Sequence, residues 1–358
     1  MIDVSALNPV VAEDVEWILA HPLPWDKLRG SNVIVSGAAG FLPAYLVETL
    51  GALNRRGSRI NVLGLVRTPR KALERLGHLL DAGVTLREHD ISQPLPTDLA
   101  AAEFIVHAAS PASPRFYGTD PVGTLKANTL GTAYLLDHAA RHGTTSFLYF
   151  SSGEVYGIPV DSSRRLSETD FGYLDPTTVR ACYAESKRIG ETMCVSWAQQ
   201  HGIPARIVRP FHTYGPGMSL NDGRVFADFV ADVVARRDIV LKSDGLAIRP
   251  FCYLADATVA FFSILLMGEA GRAYNVGNPN AEISVGDLAE LLVGLYPQLG
   301  LKVMRAATRT ARASEYLQSP ISRSTPNIAR MAGLGWSPVT GLREGFRRTI
   351  RSFDSRLP

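Results

Sequence analysis

The sequence predicts an α/β fold in which a doubly wound parallel sheet carries a smaller C-terminal lobe. Through the first 216 residues, short apolar segments alternate with longer helical ones, a pattern typical of parallel strands joined by crossover helices. A glycine turn joins the first predicted strand to the first of these helices. After Pro216 the alternation fades into shorter segments, which indicates a smaller unit at the carboxyl edge of the sheet.

The individual elements follow from the local pattern of apolar residues, glycines and prolines. Strands are predicted at residues 32–36, 60–66, 84–88, 104–108, 146–151 and 206–209, and helices at 42–53, 71–80, 122–141 and 178–200. In the C-terminal part we expect a loop at 218–224, a helix after it, extended segments at 239–241 and 248–254, and helices near 284–296 and 341–352. The predicted units are an N-terminal helical extension at 1–30, a sheet domain at 31–216 to which later segments return, and a lobe at 217–358.

The composition is that of a globular protein and argues against several functional classes. The chain has 358 residues, of which 46% are hydrophobic and 20% charged, and a net charge of only +3, so we expect no nucleic-acid partner. Its three cysteines are too scattered for a disulfide framework or a metal site, and no metal is expected. The N-terminus lacks the features of a signal peptide, and no apolar run approaches the ~20 residues of a membrane span. We therefore expect a cytoplasmic protein with no membrane partner.

The glycine turn that follows the first strand has the sequence GAAGFL. Gly37 and Gly40 permit a tight turn and a close approach of the backbone to a pyrophosphate. A helix that begins at Phe41 and Leu42 then stabilises the pyrophosphate through its N-terminus. The third glycine of the usual pattern is replaced by Pro43, which the first turn of a helix tolerates. This turn predicts a dinucleotide cofactor.

The residues after the next two strands bear on which dinucleotide is bound. An acidic residue usually meets a free ribose 2′-hydroxyl at the end of the second strand, but Val66 occupies that position here. Arg67 follows it, and an arginine at this place favours a 2′-phosphate and hence NADP. Asp90 and Ile91, after the third strand, are placed to hold the adenine ring of either cofactor.

The pentad YAESK, which begins at Tyr183, suggests a catalytic function. Tyr183 and Lys187 are four residues apart, so on a helix they share one face. A free phenol has a pKa near ~10, and a neighbouring ammonium favours its ionised form. A hydroxyl from Ser152 could hold a substrate alcohol against that phenolate. The set is typical of machinery that removes a hydride and a proton from a carbinol.

Further stretches of the chain carry a family resemblance. They are residues 107–114 (HAASPASP), 180–183 (RACY), 191–194 (ETMC), 221–225 (NDGRV) and 334–336 (LGW). With the glycine turn and the pentad, they make the chain resemble the extended short-chain dehydrogenase/reductases that act on nucleotide sugars, the NAD-dependent epimerase/dehydratase family. Within that family it is most similar to UDP-glucuronate decarboxylases. The resemblance runs from about residue 31 to the end and implies a Rossmann-type dinucleotide-binding domain and a sugar-nucleotide-binding lobe.

The resemblance also implies roles for residues at matching positions. Tyr183 would be the base, Lys187 its partner and a ribose ligand, and Ser152 the hydroxyl that orients the substrate alcohol. Glu154 matches the acidic residue that serves ring chemistry in decarboxylases and dehydratases. Ala108 and Ala109 are implied at the cofactor. The positions implied at the sugar nucleotide are Tyr117, His212, Arg224, Arg249 and Arg323.

Two departures from the family pattern leave the reaction open. Gly153 stands where dehydratases place an aspartic acid and decarboxylases a serine, and it has no proton to give. His212 stands where the family has an asparagine; it can donate to a phosphate and can also titrate. Our leading hypothesis is oxidation at the sugar C4 followed by decarboxylation. The alternatives are a 4,6-dehydratase, a 4-epimerase or simple 4-dehydrogenase, and a dinucleotide-binding regulatory protein without catalysis.

The resemblance leads to two further expectations about cofactor and assembly. We expect NAD, because a cofactor that is recycled in place need not come from the reducing pool, while Arg67 keeps NADP as the alternative. The family usually forms a dimer through two helices per subunit. The corresponding helices here are 122–141 and 178–200, so we expect a homodimer that binds a nucleotide-sugar substrate.

Overall fold

The computed structural model of the chain describes residues 8–221, 223–305 and 321–357. Residues 1–7 of the predicted extension, Asp222 of the NDGRV stretch and residues 306–320 of the predicted lobe lie outside the described residues. In chain order the strands are β1 Asn32–Ser36, β2 Asn61–Val66, β3 Val84–Glu88, β4 Phe104–His107, β5 Ser146–Phe150, β6 Ala205–Pro210, β7 His212–Tyr214, β8 Ile239–Leu241, β9 Ile248–Tyr253, β10 Ala273–Val276, β11 Glu282–Ser284 and β12 Val303–Arg305.

Helices separate most of these strands along the chain. They are α1 Pro9–Leu19, α2 Phe41–Arg55, α3 Pro69–Leu76, α4 Pro114–Thr119, α5 Pro121–His142, α6 Ala181–His201, α7 Val225–Val234, α8 Leu254–Met267, α9 Val285–Leu295, α10 Ala329–Gly333 and α11 Leu342–Phe353. Short 3-10 turns lie at Trp25–Leu28, Gly77–Ala82, Gly153–Tyr156 and Pro297–Leu299. Among the described helices, none combines the length and apolar character needed to cross a membrane.

Seven parallel strands form the central sheet, in the order β10-β6-β5-β4-β1-β2-β3. Alternate residues of β1 face opposite sides: Val33 and Val35 join one hydrophobic core with residues of α2 and α8, and Ile34 joins a second core with residues of α5 and α6. The strands are thus covered by helices on both faces. The predicted α/β fold with a doubly wound parallel sheet is confirmed.

The direction of winding reverses between β1 and β4, which pair directly although two strands separate them in sequence. In open α/β sheets, ligands bind outside the carboxyl ends of the strands at such a reversal. The loops that leave β1 and β4 approach closely there. Gly37 has φ +70°, and a Cβ on it would lie 2.7 Å from the Cα of Ala109. Only glycine allows this contact, because both the backbone conformation and the space exclude a side chain.

Two smaller sheets accompany the central one. One has the strand order β11-β9-β7, and the other pairs β12 with β8. The sequence patterns predict β8 and β9 with nearly the observed bounds, but they miss α8 and the edge strand β10. Every residue from Leu254 to Leu266 in α8 is buried. A helix that is apolar all round has no 3.6-residue alternation, so its sequence carries no helical period.

The N-terminal helix α1 is packed into the body of the protein, against α2, α8 and α11. Its Asp14 is buried and accepts hydrogen bonds from the hydroxyls of Tyr45 at 2.8 Å and Tyr253 at 2.7 Å. The Arg348 guanidinium of α11 donates to the other Asp14 oxygen at 2.7 Å. Burial raises the pKa of Asp14 even against these partners. The cluster therefore joins the two ends of the chain through one buried carboxylate.

We predict that Arg348→Met lowers the free energy of unfolding by about 3 kcal/mol, because it leaves the Asp14 carboxylate buried without its cation. Chemical denaturation measures the change. The control is Arg347→Met, which removes an exposed arginine paired with Glu344 and should cost no more than about 0.5 kcal/mol. Adding Asp14→Asn to Arg348→Met should recover much of the loss. Equal effects of the two arginine variants would contradict a special role for the cluster.

Candidate active site

The predicted catalytic residues meet at the carboxyl end of β5. Tyr183 lies in the first turn of α6, and Ser152 caps the 3-10 turn Gly153–Tyr156, with its Oγ accepting from the Glu154 backbone N–H at 3.1 Å. The Tyr183 ring is buried and stacks on the Tyr117 ring, with centroids 4.8 Å apart. Burial raises the pKa of Tyr183 to about 12, while a hydrogen bond with the Ser152 side chain acts to lower it.

Lys187 lies one turn further along α6 and is also buried. Its Nζ donates to the carbonyl oxygen of Phe150 at 2.6 Å and lies 5.8 Å from the centroid of the Tyr183 ring. Burial lowers the pKa of Lys187 to about 7. The shared helical face is as predicted, but the expected lowering of the Tyr183 pKa needs correction. Burial outweighs the hydrogen bond with Ser152 and the charges of Arg224 and Arg180, all of which act to lower the pKa.

Glu154 forms an ion pair that the sequence patterns did not predict. Both Glu154 carboxylate oxygens accept from Nη2 of Arg180, at 2.7 and 2.9 Å, and the two side chains are only 32% and 18% exposed. The Arg180 guanidinium also lies 5.0 Å from the centroid of the Tyr117 ring, a cation–π distance. Arg180 belongs to the RACY stretch that carries the family resemblance, but the resemblance did not predict which residue it contacts.

Arg224 and Arg249 both lie close enough to His212 for their charges to act on its ring. Arg224 precedes α7, and its guanidinium carbon lies 5.8 Å from the centroid of the Phe41 ring, beside the glycine turn. Burial, with the charges of Arg249 and Arg224 as smaller causes, lowers the pKa of His212 to about 3. His212 is therefore a neutral ring at neutral pH. Its buried Nδ1 has no hydrogen-bond partner in the described part of the chain.

Arg249 and Arg323 make contacts within the protein. Arg249 donates to the backbone carbonyls of Ile248 at 2.8 Å, Ser322 at 3.0 Å and Ile321 at 2.8 Å. Arg323 pairs with both carboxylate oxygens of Glu282, at 2.9 and 2.8 Å, and donates to a loop carbonyl at Ser163. Arg249 remains close enough to Glu154 for that carboxylate to act on its pKa, whereas Arg323 ties β11 to the 162–163 loop. The structure therefore brings Arg249, and not Arg323, to the other predicted residues.

The glycine turn has the features that a dinucleotide needs. Gly40 caps α2 without any side-chain hydrogen bond, so no capping side chain uses the N–H groups of the first turn, where Phe41 and Leu42 lie. Donors of this kind stabilise a pyrophosphate. Ala109 follows β4, and its N–H donates to the Ser36 hydroxyl at 3.3 Å, which fixes the loop at Ala108 and Ala109 against the end of β1. These residues fit the cofactor.

The adenine end of the predicted site is more open. Asp90 Oδ1 accepts from the Ser92 backbone N–H at 2.9 Å, and this hydrogen bond, with the charge of Arg67 as a smaller cause, lowers the pKa of Asp90. Arg67 itself is exposed at the end of β2. Ile91 is buried and packs against Gly131 of α5.

In the described ranges, no group of three His, Cys, Asp or Glu side chains could hold a metal ion.

The space around Gly153 leaves little room for a side chain. A Cβ at this position would lie 3.2 Å from two carbon atoms of the Phe211 ring, closer than most side chains tolerate. Phe211 is itself buried in a small cluster with Val155, Tyr156 and Leu166. In dehydratases this position carries an acid. Here it is a glycine, and the Phe211 ring also restricts the space that a side chain would need.

Comparison with known proteins supports the family resemblance. The model of the NAD dependent epimerase/dehydratase family matches residues 33–277. UDP-glucuronic acid decarboxylase 5 of Arabidopsis thaliana is 33% identical over 350 residues, which cover 94% of this chain and 94% of that protein. UDP-glucuronic acid decarboxylase 1 of Xenopus tropicalis is 34% identical over 329 residues, covering 91% of this chain and 73% of that protein.

Solved structures agree in fold. UDP-glucuronic acid 4-epimerase from Bacillus cereus, solved with UDP-glucuronic acid and NAD, has a TM-score of 0.75 at 20% identity, with 91% of this chain and 99% of that chain covered. UDP-glucose 4-epimerase from Thermotoga maritima, solved with UDP-glucose, has a TM-score of 0.75 at 22% identity, covering 91% and 100%. The family model spans the central sheet from β1 to β10, together with the glycine turn after β1 and the loop after β4. The chain therefore belongs to the NAD dependent epimerase/dehydratase family, and its cofactor is NAD.

Proposed function

We propose that the protein is a nucleotide-sugar decarboxylase that acts on UDP-glucuronate. The observation that carries the proposal is the arrangement around β5: Ser152, Tyr183 and Lys187 lie together, and the Glu154 carboxylate stands beside them. The first three residues suit oxidation of a sugar hydroxyl, and the carboxylate suits proton management on the sugar ring. Two relatives that are named UDP-glucuronic acid decarboxylases, each 33% identical over nearly the whole chain, support the choice of substrate.

The first step oxidises the C4 hydroxyl of the sugar. The Ser152 hydroxyl forms a hydrogen bond with the C4 hydroxyl, and Tyr183 takes the proton of the C4 hydroxyl. NAD supplies the hydride acceptor and later the hydride donor, and its oxidised ring carries a positive charge. Because burial raises the pKa of Tyr183 to about 12, proton removal depends on positive charge close to the phenol. Three protein cations lie close enough to serve: Lys187 Nζ is 5.8 Å from the centroid of the ring, and the charges of Arg224 and Arg180 act to lower the pKa of the phenol.

The second step breaks the bond between C5 and the carboxylate. Once C4 is a ketone, the carboxylate lies β to it, and the bonding electrons pass into the enolate as carbon dioxide leaves. Ser152 and Tyr183 stabilise the enolate oxygen through hydrogen bonds. C5 then takes up one proton, a step that we assign to Glu154. Return of the hydride to C4 and of the proton from Tyr183 completes a redox-neutral cycle.

The remaining predicted residues bind the sugar nucleotide. Tyr117 lines the sugar site by its stacking on Tyr183. Arg249 recognises the sugar carboxylate or the diphosphate, and Arg224 contacts the diphosphate from the start of α7. The His212 ring is neutral, and its buried Nδ1 has no hydrogen-bond partner among the described residues. It therefore donates a hydrogen bond to a phosphate oxygen. For Arg323, whose guanidinium pairs with Glu282, we propose an indirect part in shaping the nucleotide site.

Dehydration and epimerisation are the weaker alternatives. A 4,6-dehydratase needs an acid for the departing C6 hydroxyl, and neither Gly153 nor the ring of Phe211 beside it can donate a proton. The neutral His212 is a poor substitute, since burial keeps its pKa near 3. A 4-epimerase or 4-dehydrogenase has no use for Glu154. A regulatory protein without catalysis would not require Ser152, Tyr183 and Lys187 together.

We also propose that the protein is a homodimer that works in the cytoplasm. α5 and α6 pack on each other and leave an apolar surface, formed by Val122, Leu125, Leu130, Ile189 and Val195. Val122 is 58% exposed and Ile189 46% exposed, and apolar side chains clustered in this way mark an interaction surface. A second copy of the same helices would cover them. The free thiols of Cys182, Cys194 and Cys252 are typical of a reducing compartment.

Incubation with UDP-glucuronate tests the reaction directly. Mass spectrometry should detect a product lighter by one carbon dioxide, with no net change in the bound cofactor after turnover. The same assay with UDP-glucose should give no product lighter by one water. A dehydrated hexose product would point to a dehydratase, and a product of unchanged mass but altered configuration would point to an epimerase.

We predict that Tyr183→Phe lowers the rate of carbon dioxide release by at least about 100-fold, because the proton of the C4 hydroxyl loses its acceptor. The transient absorbance of reduced nicotinamide on substrate addition should disappear with it. Tyr173→Phe, which changes an exposed tyrosine at 65% exposure, is the matched control and should behave as the unaltered protein. Undiminished cofactor reduction in Tyr183→Phe would rule out its role as base.

Leu130→Glu on α5 should dissociate the proposed dimer, because it places a charge in the apolar surface between subunits. Light scattering should then find a mass near the single-chain value of 38.9 kDa, where the unaltered protein has twice that mass. Val339→Glu changes an apolar residue that is 67% exposed and lies away from these helices, and it should leave the mass unaltered. A monomeric unaltered protein would contradict the proposal.

A further inference from the structure

A buried ion pair close to the site has no part in the steps above. It joins Arg209 of β6 to Glu191 of α6, and the two side chains are 6% and 13% exposed. Arg209 Nε donates to one carboxylate oxygen of Glu191 at 2.8 Å, and Nη2 donates to the other at 2.6 Å. A buried pair repays the cost of its desolvation only when its remaining hydrogen bonds are also made. Those remaining bonds show which part of the protein the pair holds.

The remaining bonds reach both ends of a short segment after β5, residues 151–156, which we call the β5 turn. At the first end, the Ser151 hydroxyl donates to the Glu191 carboxylate. At the other end, Arg209 Nη1 donates to the hydroxyl oxygen of Tyr156 at 2.8 Å. The Arg209 guanidinium carbon also lies 4.9 Å from the centroid of the Tyr156 ring. One buried ion pair therefore holds the turn at its beginning and at its end.

The β5 turn carries Ser152 and Glu154, which act on the sugar in the proposed steps. Within the turn, the Val155 N–H donates to the Ser152 carbonyl at 3.2 Å. The Gly157 N–H donates to the Glu154 carbonyl at 3.1 Å. A single 3-10 turn closed by bonds of this kind is weak by itself, because its hydrogen-bond geometry is poor. The position of the two side chains therefore depends on the anchors at the ends of the turn.

Glu191 also belongs to the helix that carries Tyr183 and Lys187. The three residues follow one another at intervals of four, so they lie along one face of α6. Lys187 donates to the carbonyl of Phe150, the last residue of β5. Ser151, the next residue, donates to Glu191. Two successive turns of α6 are thus bonded to two successive residues at the end of β5, which fixes how the helix lies along the strand.

We propose that Arg209 is a positioning residue that holds the β5 turn against the first turns of α6. It acts through Glu191 and Tyr156, and it thereby sets how the hydroxyls of Ser152 and Tyr183 meet at the substrate alcohol. Arg209 does not itself serve as a ligand, because all three of its guanidinium nitrogens donate to protein atoms. The inference rests on the oxidation at C4 in the proposed function and not on the step that follows it.

Tyr156→Phe tests the proposal, because it keeps the buried ring and removes the hydroxyl that joins the turn to Arg209 and to Asn275. We expect kcat for carbon dioxide release to fall about 10-fold, while KM for UDP-glucuronate changes less than about 2-fold. A misplacement of 1 Å costs about 100-fold in rate, and the loss here is smaller because the Ser151 anchor remains. After rapid mixing with UDP-glucuronate, the rate of nicotinamide reduction should fall by the same factor as kcat.

The matched control is Tyr274→Phe in β10. It also removes a buried tyrosine hydroxyl, one that accepts from the Glu269 backbone N–H at 2.8 Å. The two variants should shift the midpoint of chemical denaturation to a similar extent, since each loses hydrogen bonds of a buried phenol. Only Tyr156→Phe should slow nicotinamide reduction. The comparison separates positioning from a general loss of stability.

Hydrogen exchange measures the hold on the β5 turn without depending on turnover. Mass spectrometry of a peptide that covers residues 151–157 should detect faster amide exchange in Tyr156→Phe, and the unaltered rate in Tyr274→Phe. Arg209→Lys keeps the charge but offers one nitrogen in place of three, so it should accelerate the same exchange and lower kcat at least as much. Ser151→Ala removes the other anchor and serves if the lysine variant does not fold.

The outcomes separate the inference from the proposed function. Unaltered exchange and kcat in Tyr156→Phe would overturn the inference. A raised KM at unaltered kcat would overturn it too, because the pair would then serve binding, as would an equal loss of rate in Tyr274→Phe. If UDP-glucuronate reduces the cofactor but no carbon dioxide is released, the decarboxylation fails and the rate of reduction still tests the inference. If the unaltered protein reduces no cofactor while exchange in the turn accelerates as expected, the anchoring stands and the proposed reaction fails.

Discussion

The hydrogen bond from the Lys187 ammonium to the Phe150 carbonyl is the contact on which the site depends. Phe150 is the last residue of β5, and Ser152 follows two residues later. The same bond fixes the first turns of α6 above that strand end, and Tyr183 lies in those turns. One buried donor thus helps to hold the Ser152 and Tyr183 hydroxyls at the same end of β5. Its cost appears in the pKa of Lys187, which burial lowers to about 7.

Around this contact the site residues include more cations than anions. Arg224 and Arg249 both lie near His212, whose ring stays neutral because burial and these two charges oppose its protonation. Glu154 is compensated by Arg180 on the other side. Arg224 lies beside the glycine turn, where the N–H groups at the start of α2 have no side-chain cap. A diphosphate linked to a sugar has the charge and length to meet both.

Much of this fold is predictable from local patterns, because parallel strands buried on both faces read as short apolar runs and their crossover helices are long. The bounds of β1 and β3 are as predicted, and those of α5 and α6 differ from prediction by only one to three residues. The patterns fail at α8, whose uniform burial erases the helical period. They also fail at Asp14, where a single acidic residue in an apparently separate extension is the centre of a buried cluster. Burial of a polar residue depends on distant partners, so no local pattern reports it.

The sequence by itself determined the fold class, the glycine turn with its tight φ requirement, and the pairing of Tyr183 with Lys187 on one helical face, since each of these depends on neighbouring residues or on a fixed helical spacing. Only the tertiary structure decided what those groups contact. Residues that are far apart in the chain set the raised pKa of Tyr183, the ion pair of Glu154 with Arg180, the neutral state of His212 and the contact between Gly153 and Phe211. Desolvation and charge act through space, and their balance becomes visible only when the chain is folded.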